Sequence, residues 1–126
     1  MKIPQFDRYV CVGDSVNWTV DGFDITARVE YDPDTRPEDF DCYSAKQITA
    51  WKNDEWFFCG IILSVSRNGV ELSNRAASLW GVDCNFPSRR KNPNLCLSEI
   101  CAELQDEALD CARKSAVRIL SALQEC

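Results

Sequence analysis

Two stretches near the start of the chain alternate between apolar and polar residues, the pattern of strands with one buried face. Apolar side chains fall at every second position in residues 16–20 and again in residues 23–31. Asp21-Gly22 separates the two runs, and this dipeptide readily adopts the positive φ angles that a two-residue hairpin turn requires. The pattern therefore predicts a β-hairpin over residues 16–31.

A second hairpin is predicted further along the chain. Residues 55–66 are rich in aromatic and β-branched side chains, which is typical of a central strand buried on both faces, and Gly60 indicates a bulge. Asn68-Gly69 is another turn signal, and alternation resumes in residues 70–73. Residues 76–84 fit either a further strand or a helical turn, and we favour the strand.

Two helices are predicted, one short and one long. The short helix follows Ser44, which together with Gln47 has the spacing of a capping box. The long helix covers the end of the chain, where apolar residues recur at steps of three and four from Leu97 to Leu123. Its candidate N-cap is Ser98, and a break near Gln105-Asp106 is left open.

These elements predict one α+β domain over residues 1–126: an antiparallel sheet of two hairpins, with the short helix and the long C-terminal helix packed on one face. The 14 basic and 20 acidic residues give a net charge of −6. This charge argues against broad affinity for nucleic-acid phosphates or anionic lipid. The chain has no histidine, which excludes histidine-dependent triads, histidine general bases and histidine-ligated metals.

The eight cysteines are expected to be reduced thiols. The N-terminus lacks the pattern of a signal peptide, and no apolar run approaches the ~18 residues of a membrane span, so we expect a cytoplasmic protein. Because no C-x-x-C pair is present, no metal site is expected, and no pattern calls for another cofactor. Most cysteines, including Cys11 and Cys59, are interpreted as small core residues.

The most distinctive charged feature is the acidic segment, defined as residues 30–41, in which six acids accompany only one basic residue. Two prolines, Pro33 and Pro37, limit the backbone freedom that this segment would lose on binding. We interpret it as a surface that pairs with a basic partner; the alternative is a solvated loop. The candidate partner-binding residues are Glu30, Asp32, Asp34, Glu38, Asp39, Asp41 and Trp51.

No arrangement of residues predicts catalysis. Gly13-Asp14-Ser15 is similar to the serine block of GDS-type esterases, but without histidine the serine has no base, so a turn is favoured. Asp32-x-Asp34 begins like a calcium loop, yet Pro37 occupies the position that requires glycine. Of the tryptophans, Trp56 and Trp80 are expected in the core.

Three stretches are similar to small uncharacterised accessory proteins of phages and integrative elements: VGDSV at 12–16, WFFCGIILSV at 56–65 and AASLWGVDCNFP at 76–87. Those proteins have no assigned chemistry, so the resemblance transfers no functional residue. It implies a setting, because small acidic proteins of such elements often bind and block host defence machinery, anti-CRISPR proteins among them.

We therefore predict a small acidic binding protein, not an enzyme, that inhibits or modulates a nucleic-acid-handling host complex, for example as an anti-CRISPR or anti-restriction protein of a phage or mobile element. Its expected partner is a basic nucleic-acid-binding host protein, and we expect this protein itself to contact neither nucleic acid nor membrane.

One alternative is a DNA- or RNA-associated regulator that uses Arg89-Arg90-Lys91. Another is an enzyme assembled from distant aspartates, cysteines or a metal. The oligomeric state, and the choice between the acidic segment and the acidic helix face as the binding surface, are left open.

The cysteine analysis predicts that all eight thiols are free in the native protein. Alkylation under denaturing, non-reducing conditions should add eight adducts, counted by intact mass. A count of four or fewer would show that disulfides form.

Overall fold

The chain folds into a four-stranded antiparallel sheet in the order β1-β2-β3-β4, followed by a long helix. The computed structural model describes residues 3–87 and 92–124. The elements are β1 (Ser15–Val20), β2 (Phe23–Tyr31), a 3-10 turn (Pro37–Asp39), α1 (Ala45–Lys52), β3 (Phe57–Arg67), β4 (Val70–Cys84) and α2 (Leu95–Gln124). The predicted α+β class, with two hairpins, a short helix and a long C-terminal helix, is confirmed.

Both hairpin turns lie where the sequence predicts them. Asp21 and Gly22 have φ angles of 52° and 80°, and Asn68 and Gly69 have 52° and 79°, as a two-residue turn of this kind requires. Strand β4 runs unbroken through the region where a helical turn was the alternative, so the strand is confirmed. The pairing of β3 with β4 shifts register at Gly60, which confirms the predicted bulge.

The start of α1 confirms the capping box. The Ser44 hydroxyl accepts a 3.2 Å hydrogen bond from the Gln47 amide, and the Gln47 side chain accepts a 2.8 Å bond from the Ser44 amide. These bonds satisfy two backbone donors that the first turn would otherwise leave unpaired.

The predicted N-cap of α2 is wrong, because the helix begins at Leu95 and Ser98 lies inside it. The buried side chain of Asn94 fixes this start by donating to the Asp7 carbonyl and to Asn85. The helix also continues through Gln105, where the sequence left a break open. No proline or glycine interrupts it, and Gln105 accepts a 2.8 Å bond from the Trp18 indole.

The main core lies between the sheet and α2, which packs mostly on β3 and β4. It includes Ile25, Val29, Ile61, Leu63, Leu97, Ala108 and Ala112. A separate aromatic cluster consists of Phe40, Tyr43, Trp56, Phe58 and Phe86. Strand β3 contributes to both groups, so its predicted burial on both faces is confirmed.

No disulfide joins the cysteines within the described residues, and Cys126 lies outside that range. Cys59, Cys84 and Cys101 are buried, as expected of small core residues, whereas Cys11 is exposed and its assignment to the core is wrong. The neighbouring Val10 is buried in the core instead, and its backbone amide and carbonyl are both hydrogen-bonded to the Asn85 side chain.

Two further findings concern the described part of the chain. It contains no group of three or more histidine, cysteine or acidic side chains arranged to hold a metal ion. Neither of its α-helices is long and apolar enough to cross a bilayer.

Substituting Ile62 tests the burial of β3. Ile62 is 0% exposed in the middle of the strand, so Ile62→Ala should leave a cavity and lower the free energy of unfolding by about 2–5 kcal/mol. Chemical denaturation would measure the loss. The control is Val70→Ala on the exposed start of β4, which should cost less than about 0.5 kcal/mol. An equally small loss for Ile62→Ala would place β3 at the surface.

Candidate partner-binding site

Four acids of the acidic segment are exposed to solvent: Asp34, Glu38, Asp39 and Asp41. Glu38 and Asp39 follow Pro37, which is fully buried at the first position of the 3-10 turn. Proline suits this position because its φ is already helical and it has no amide hydrogen to satisfy. The buried ring therefore anchors the middle of the segment while the two carboxylates after it remain in water.

Glu30 is engaged within the fold. Its carboxylate accepts bonds of 2.8 Å from the Arg28 guanidinium and 3.3 Å from that of Arg75. The hydrogen bond from Arg28 is the main reason that the pKa of Glu30 lies below its usual value, and the nearby Arg75 charge lowers it further. Because two guanidinium groups already neutralise Glu30, it offers little charge to a partner.

Asp32 is only 5% exposed, and its carboxylate ties the acidic segment to β4. One oxygen accepts a 2.9 Å bond from the Asp34 amide; the other accepts bonds of 2.7 Å from the Thr35 hydroxyl and 2.9 Å from the Gly81 amide. Burial by itself raises the pKa of Asp32, but these hydrogen bonds to the ionised form outweigh it, and the pKa lies below the ordinary 3.8. The Asp32 carboxylate is therefore a structural anion.

The bond to Gly81 brings the acidic segment beside Trp80. Between them lies the acidic-aromatic cleft, which has a volume of about 390 Å³. Its lining residues are Tyr31, Asp32, Pro33, Asp34, Thr35 and Trp80. Tyr31 and Trp80 are 52% and 42% exposed, so the cleft presents two aromatic rings to solvent next to the exposed Asp34 carboxylate.

The expectation that Trp80 lies in the core is wrong, because its indole extends from the edge strand β4 over Gly60 on the inner strand β3 and is 42% exposed. A methyl group at Gly60 would overlap the Trp80 ring, so the absence of a side chain there makes room for the indole. Two sequence signals point to this arrangement. Ser78 and Trp80 are two residues apart on β4 and Ser78 is polar, while glycine inside a strand often marks a close approach of another group.

The other predicted residues lie outside this cleft. Trp51 is half-buried on α1 and is not among the residues that line the cleft. Trp56 is fully buried, as expected, with its indole donating a 2.9 Å bond to the Gln47 carbonyl. Arg89-Arg90-Lys91, the basis of the nucleic-acid alternative, lies outside the described residues.

The Tyr43 hydroxyl and the Asp83 carboxylate lie close enough to influence each other's pKa. Burial raises the pKa of Asp83, and its interaction with Tyr43 partly offsets this effect. Burial, together with the Asp83 charge, raises the pKa of Tyr43 to about 12, so the hydroxyl is protonated at neutral pH. The Tyr43 ring belongs to the aromatic cluster, with its centroid 5.3 Å from that of Trp56.

Asp32→Asn tests the structural role of this buried carboxylate. The Asn side chain has one oxygen where the carboxylate has two, so its amide group would face a donor such as Gly81 N–H. We expect the free energy of unfolding at pH 7 to fall by about 1–3 kcal/mol.

The stability lost in Asp32→Asn should depend on pH. Because the folded pKa of Asp32 is lowered, its stabilisation is present above the unfolded pKa and is lost as pH falls through the folded value. The difference between wild type and Asp32→Asn should therefore shrink when unfolding is measured at progressively lower pH. Asp34→Asn, in the exposed neighbour, is the control and should change stability little at any pH. A pH-independent difference would show that ionisation of Asp32 does not stabilise the fold.

No protein-family model matches the chain, and no curated protein or solved structure matches it. The resemblance of residues 12–16, 56–65 and 76–87 to accessory proteins of phages and integrative elements therefore stays a prediction.

Proposed function

We propose that the protein is a binding protein whose acidic-aromatic cleft receives cationic side chains of a basic, nucleic-acid-handling protein. The observation that carries the proposal is the exposed Trp80 ring beside the Asp34 carboxylate, in a cleft open to solvent. The partner class is the one predicted from the sequence, and the cleft supplies a specific contact for it.

An arginine side chain fits the chemistry of this cleft. Its guanidinium group is planar and always charged, so it can stack on the face of an indole while donating hydrogen bonds to a carboxylate. The cleft offers both kinds of contact. Trp80 and Tyr31 present aromatic rings for stacking, and Asp34 presents a carboxylate that accepts hydrogen bonds. Exposed tryptophans are also frequent energetic centres of protein interfaces.

The remaining exposed acids extend the charged surface away from the cleft. Glu38, Asp39 and Asp41 add carboxylates that can pair with further arginines or lysines of a groove built for phosphates. Complementary charge would speed association and fix the orientation of the partner. A partner bound in this way cannot hold nucleic acid in the same groove, which gives inhibition by competition.

The acidic segment is held in place before binding. Asp32 ties it to Gly81, and Pro37 is buried against the fold, so less chain entropy is lost when a partner binds. The proposal includes a cytoplasmic location, where such a partner would act and where thiols stay reduced. It agrees with the anti-CRISPR or anti-restriction role that the resemblance to accessory proteins of mobile elements implies.

Reversing two exposed charges tests the acidic segment. Glu38→Lys combined with Asp39→Lys should weaken binding to the partner captured from a host lysate by several kcal/mol, because like charges then face each other across the interface. Binding should also weaken as salt rises. The measurement is the dissociation constant of the purified partner, determined by calorimetry at two salt concentrations.

The matched control reverses two exposed acids elsewhere, Glu103→Lys with Glu107→Lys on α2. This variant has the same net charge and should keep nearly all of the affinity. Equal losses in the two variants would mean that only overall charge matters. Loss in the α2 variant alone would place the binding surface on the helix.

A second pair of variants tests the aromatic part of the cleft. Trp80→Ala should weaken binding, whereas Trp51→Ala on α1 should have little effect. Gly60→Ala keeps the indole but displaces it, so it should also weaken binding, as Trp80→Ala does.

Mobility-shift assays should show no retardation of DNA by the protein itself; retardation would favour the nucleic-acid regulator instead.

A further inference from the structure

In the described part of the chain, the sheet has β1 at one edge and β4 at the other. Backbone N–H and C=O groups along a free edge can pair with a further strand, so proteins usually protect long edges with charges, prolines or bulges. Strand β4 has such protection, because its pairing with β3 shifts register repeatedly and it contains Glu71, Arg75 and Asp83. This irregular, charged edge is a poor template for another strand.

Strand β1 lacks these protections. Ser15–Val20 contains no charged residue, proline or glycine, and its pairing with β2 keeps one register from end to end. Its apolar side chains pack against the main core, and its polar side chains are exposed. Strand β1 is therefore a regular, uncharged edge.

The backbone groups of three β1 residues point away from β2. The Val29 amide of β2 donates a 2.9 Å bond to the Asp14 carbonyl, and hydrogen-bonded positions recur at every second residue of an antiparallel pair. The groups directed toward β2 therefore belong to the even-numbered residues, and those of Ser15, Asn17 and Thr19 point outward. Within the described residues, no hydrogen bond reaches these outward N–H and C=O groups.

The neighbouring segments leave this edge open. Helix α2 packs mostly on β3 and β4, away from β1. Residues 5–7 come near residues 14–16, but the two stretches line an open cleft of about 260 Å³ and no backbone hydrogen bond joins them. Asn17 and Thr19 are exposed. Another strand can therefore reach the edge from solvent.

The side chains of β1 form a pattern that reads the same in both directions from Asn17. Ser15 and Thr19 carry hydroxyl groups on one face, and Val16 and Trp18 carry apolar groups on the other. In two copies related by a two-fold axis at Asn17, Ser15 would face Thr19 and Val16 would face Trp18. Any extended strand could use the backbone groups, but these matched side chains favour a second copy.

We propose that β1 pairs with β1 of a second copy of the chain, antiparallel and with Asn17 opposite Asn17. The outward groups of Ser15, Asn17 and Thr19 then form a regular antiparallel ladder, and the two sheets become one continuous sheet. This contact goes beyond the proposed function, because Trp80 lies on the opposite edge strand. Each dimer presents two acidic-aromatic clefts, with its β4 strands about 34 Å apart.

Local charges permit this pairing although the net charge is −6. The β1–β2 turn of one copy comes beside Asp14 of the other, but the acid of that turn, Asp21, is already paired with Arg113 at 3.2 Å. Repulsion between the copies therefore comes mainly from the molecules as a whole, and salt screens it. Dimerisation should strengthen as salt rises, whereas partner binding through the acidic segment should weaken.

Sedimentation velocity of the full chain tests the association. Over about 1–500 µM it should show a reversible monomer–dimer equilibrium, because a contact between two short strands is smaller than a permanent interface. The dimer fraction should increase as salt rises from about 50 to about 500 mM. A monomer at every concentration and salt would overturn the proposal.

Position 17 tests the register, because it faces itself across the two-fold axis. Asn17→Lys and Asn17→Glu should each weaken the dimer by at least about tenfold, since like charges then lie directly opposite. An equimolar mixture of the two variants should form a heterodimer at least as tight as the wild-type dimer, because lysine then faces glutamate. No loss in the single variants, or no recovery in the mixture, would overturn the proposal.

The matched control is Asn74→Lys, at an exposed residue of the other edge strand. It makes the same change in side chain and net charge, and it should leave the dimer affinity unchanged. Thermal melts confirm that each variant is folded. Equal losses in Asn17→Lys and Asn74→Lys would show that only net charge matters, which would overturn the pairing through β1.

Hydrogen exchange tests the backbone bonds. The outward amides of Asn17 and Thr19 should exchange more slowly at high protein concentration, whereas the amides of Val16 and Trp18, directed toward β2, should be protected at every concentration. Asn17→Pro removes only an outward donor, and an edge strand tolerates proline there, so this variant should fold and remain monomeric. Unchanged exchange at Asn17 and Thr19 in the dimer would overturn the proposal.

Association through another surface gives a distinct result. Leu120 is 58% exposed near the end of α2, so Leu120→Glu tests this apolar surface as the alternative contact. A dimer that persists in Asn17→Lys and is lost in Leu120→Glu would place the second copy on α2 and overturn the proposal.

Discussion

Strand β3 has apolar side chains on both faces, and removing both faces from water is the constraint around which the other elements are arranged. One face, with Ile61 and Leu63, is covered by α2 across the main core. At the acidic-segment end of the sheet, Phe58 packs into the aromatic cluster instead. A single helix cannot cover two faces, so loops and isolated side chains complete the burial, and this requirement brings the acidic segment and Trp80 onto the sheet.

The acidic segment shows how a charged loop is held against an apolar framework. A buried carboxylate is costly unless its lone pairs are satisfied, and Asp32 accepts hydrogen bonds from three donors. One of these donors belongs to β4, so the same interaction that stabilises the ionised carboxylate also positions the loop. The acids of the segment therefore divide by role: Asp32 and Glu30 maintain the structure, and the exposed carboxylates remain available for a partner.

Charge is distributed unevenly along the molecule. The acidic segment begins at the C-terminal end of β2, and Arg67 lies against Phe23 at the other end of that strand. The exposed carboxylates suit the cationic partner that we propose for the first end. Trp80 beside them would supply the desolvated contact that surface ion pairs lack.

The sequence by itself determined the local structure. Both glycine-containing turns, the capping box at Ser44 and the apolar stripe of α2 are short-range patterns, because backbone conformation and helix periodicity depend on neighbouring residues. The cluster of six acids in the acidic segment is also evident from the sequence alone. Only the tertiary structure decided which of its acids are exposed, because the hydrogen bond that the Gly81 amide donates to Asp32 joins residues far apart in the chain. The same holds for Trp80, whose exposure depends on the space above Gly60 on a neighbouring strand, and for the last turns of α2, where Leu120 and Leu123 continue the apolar stripe but are exposed.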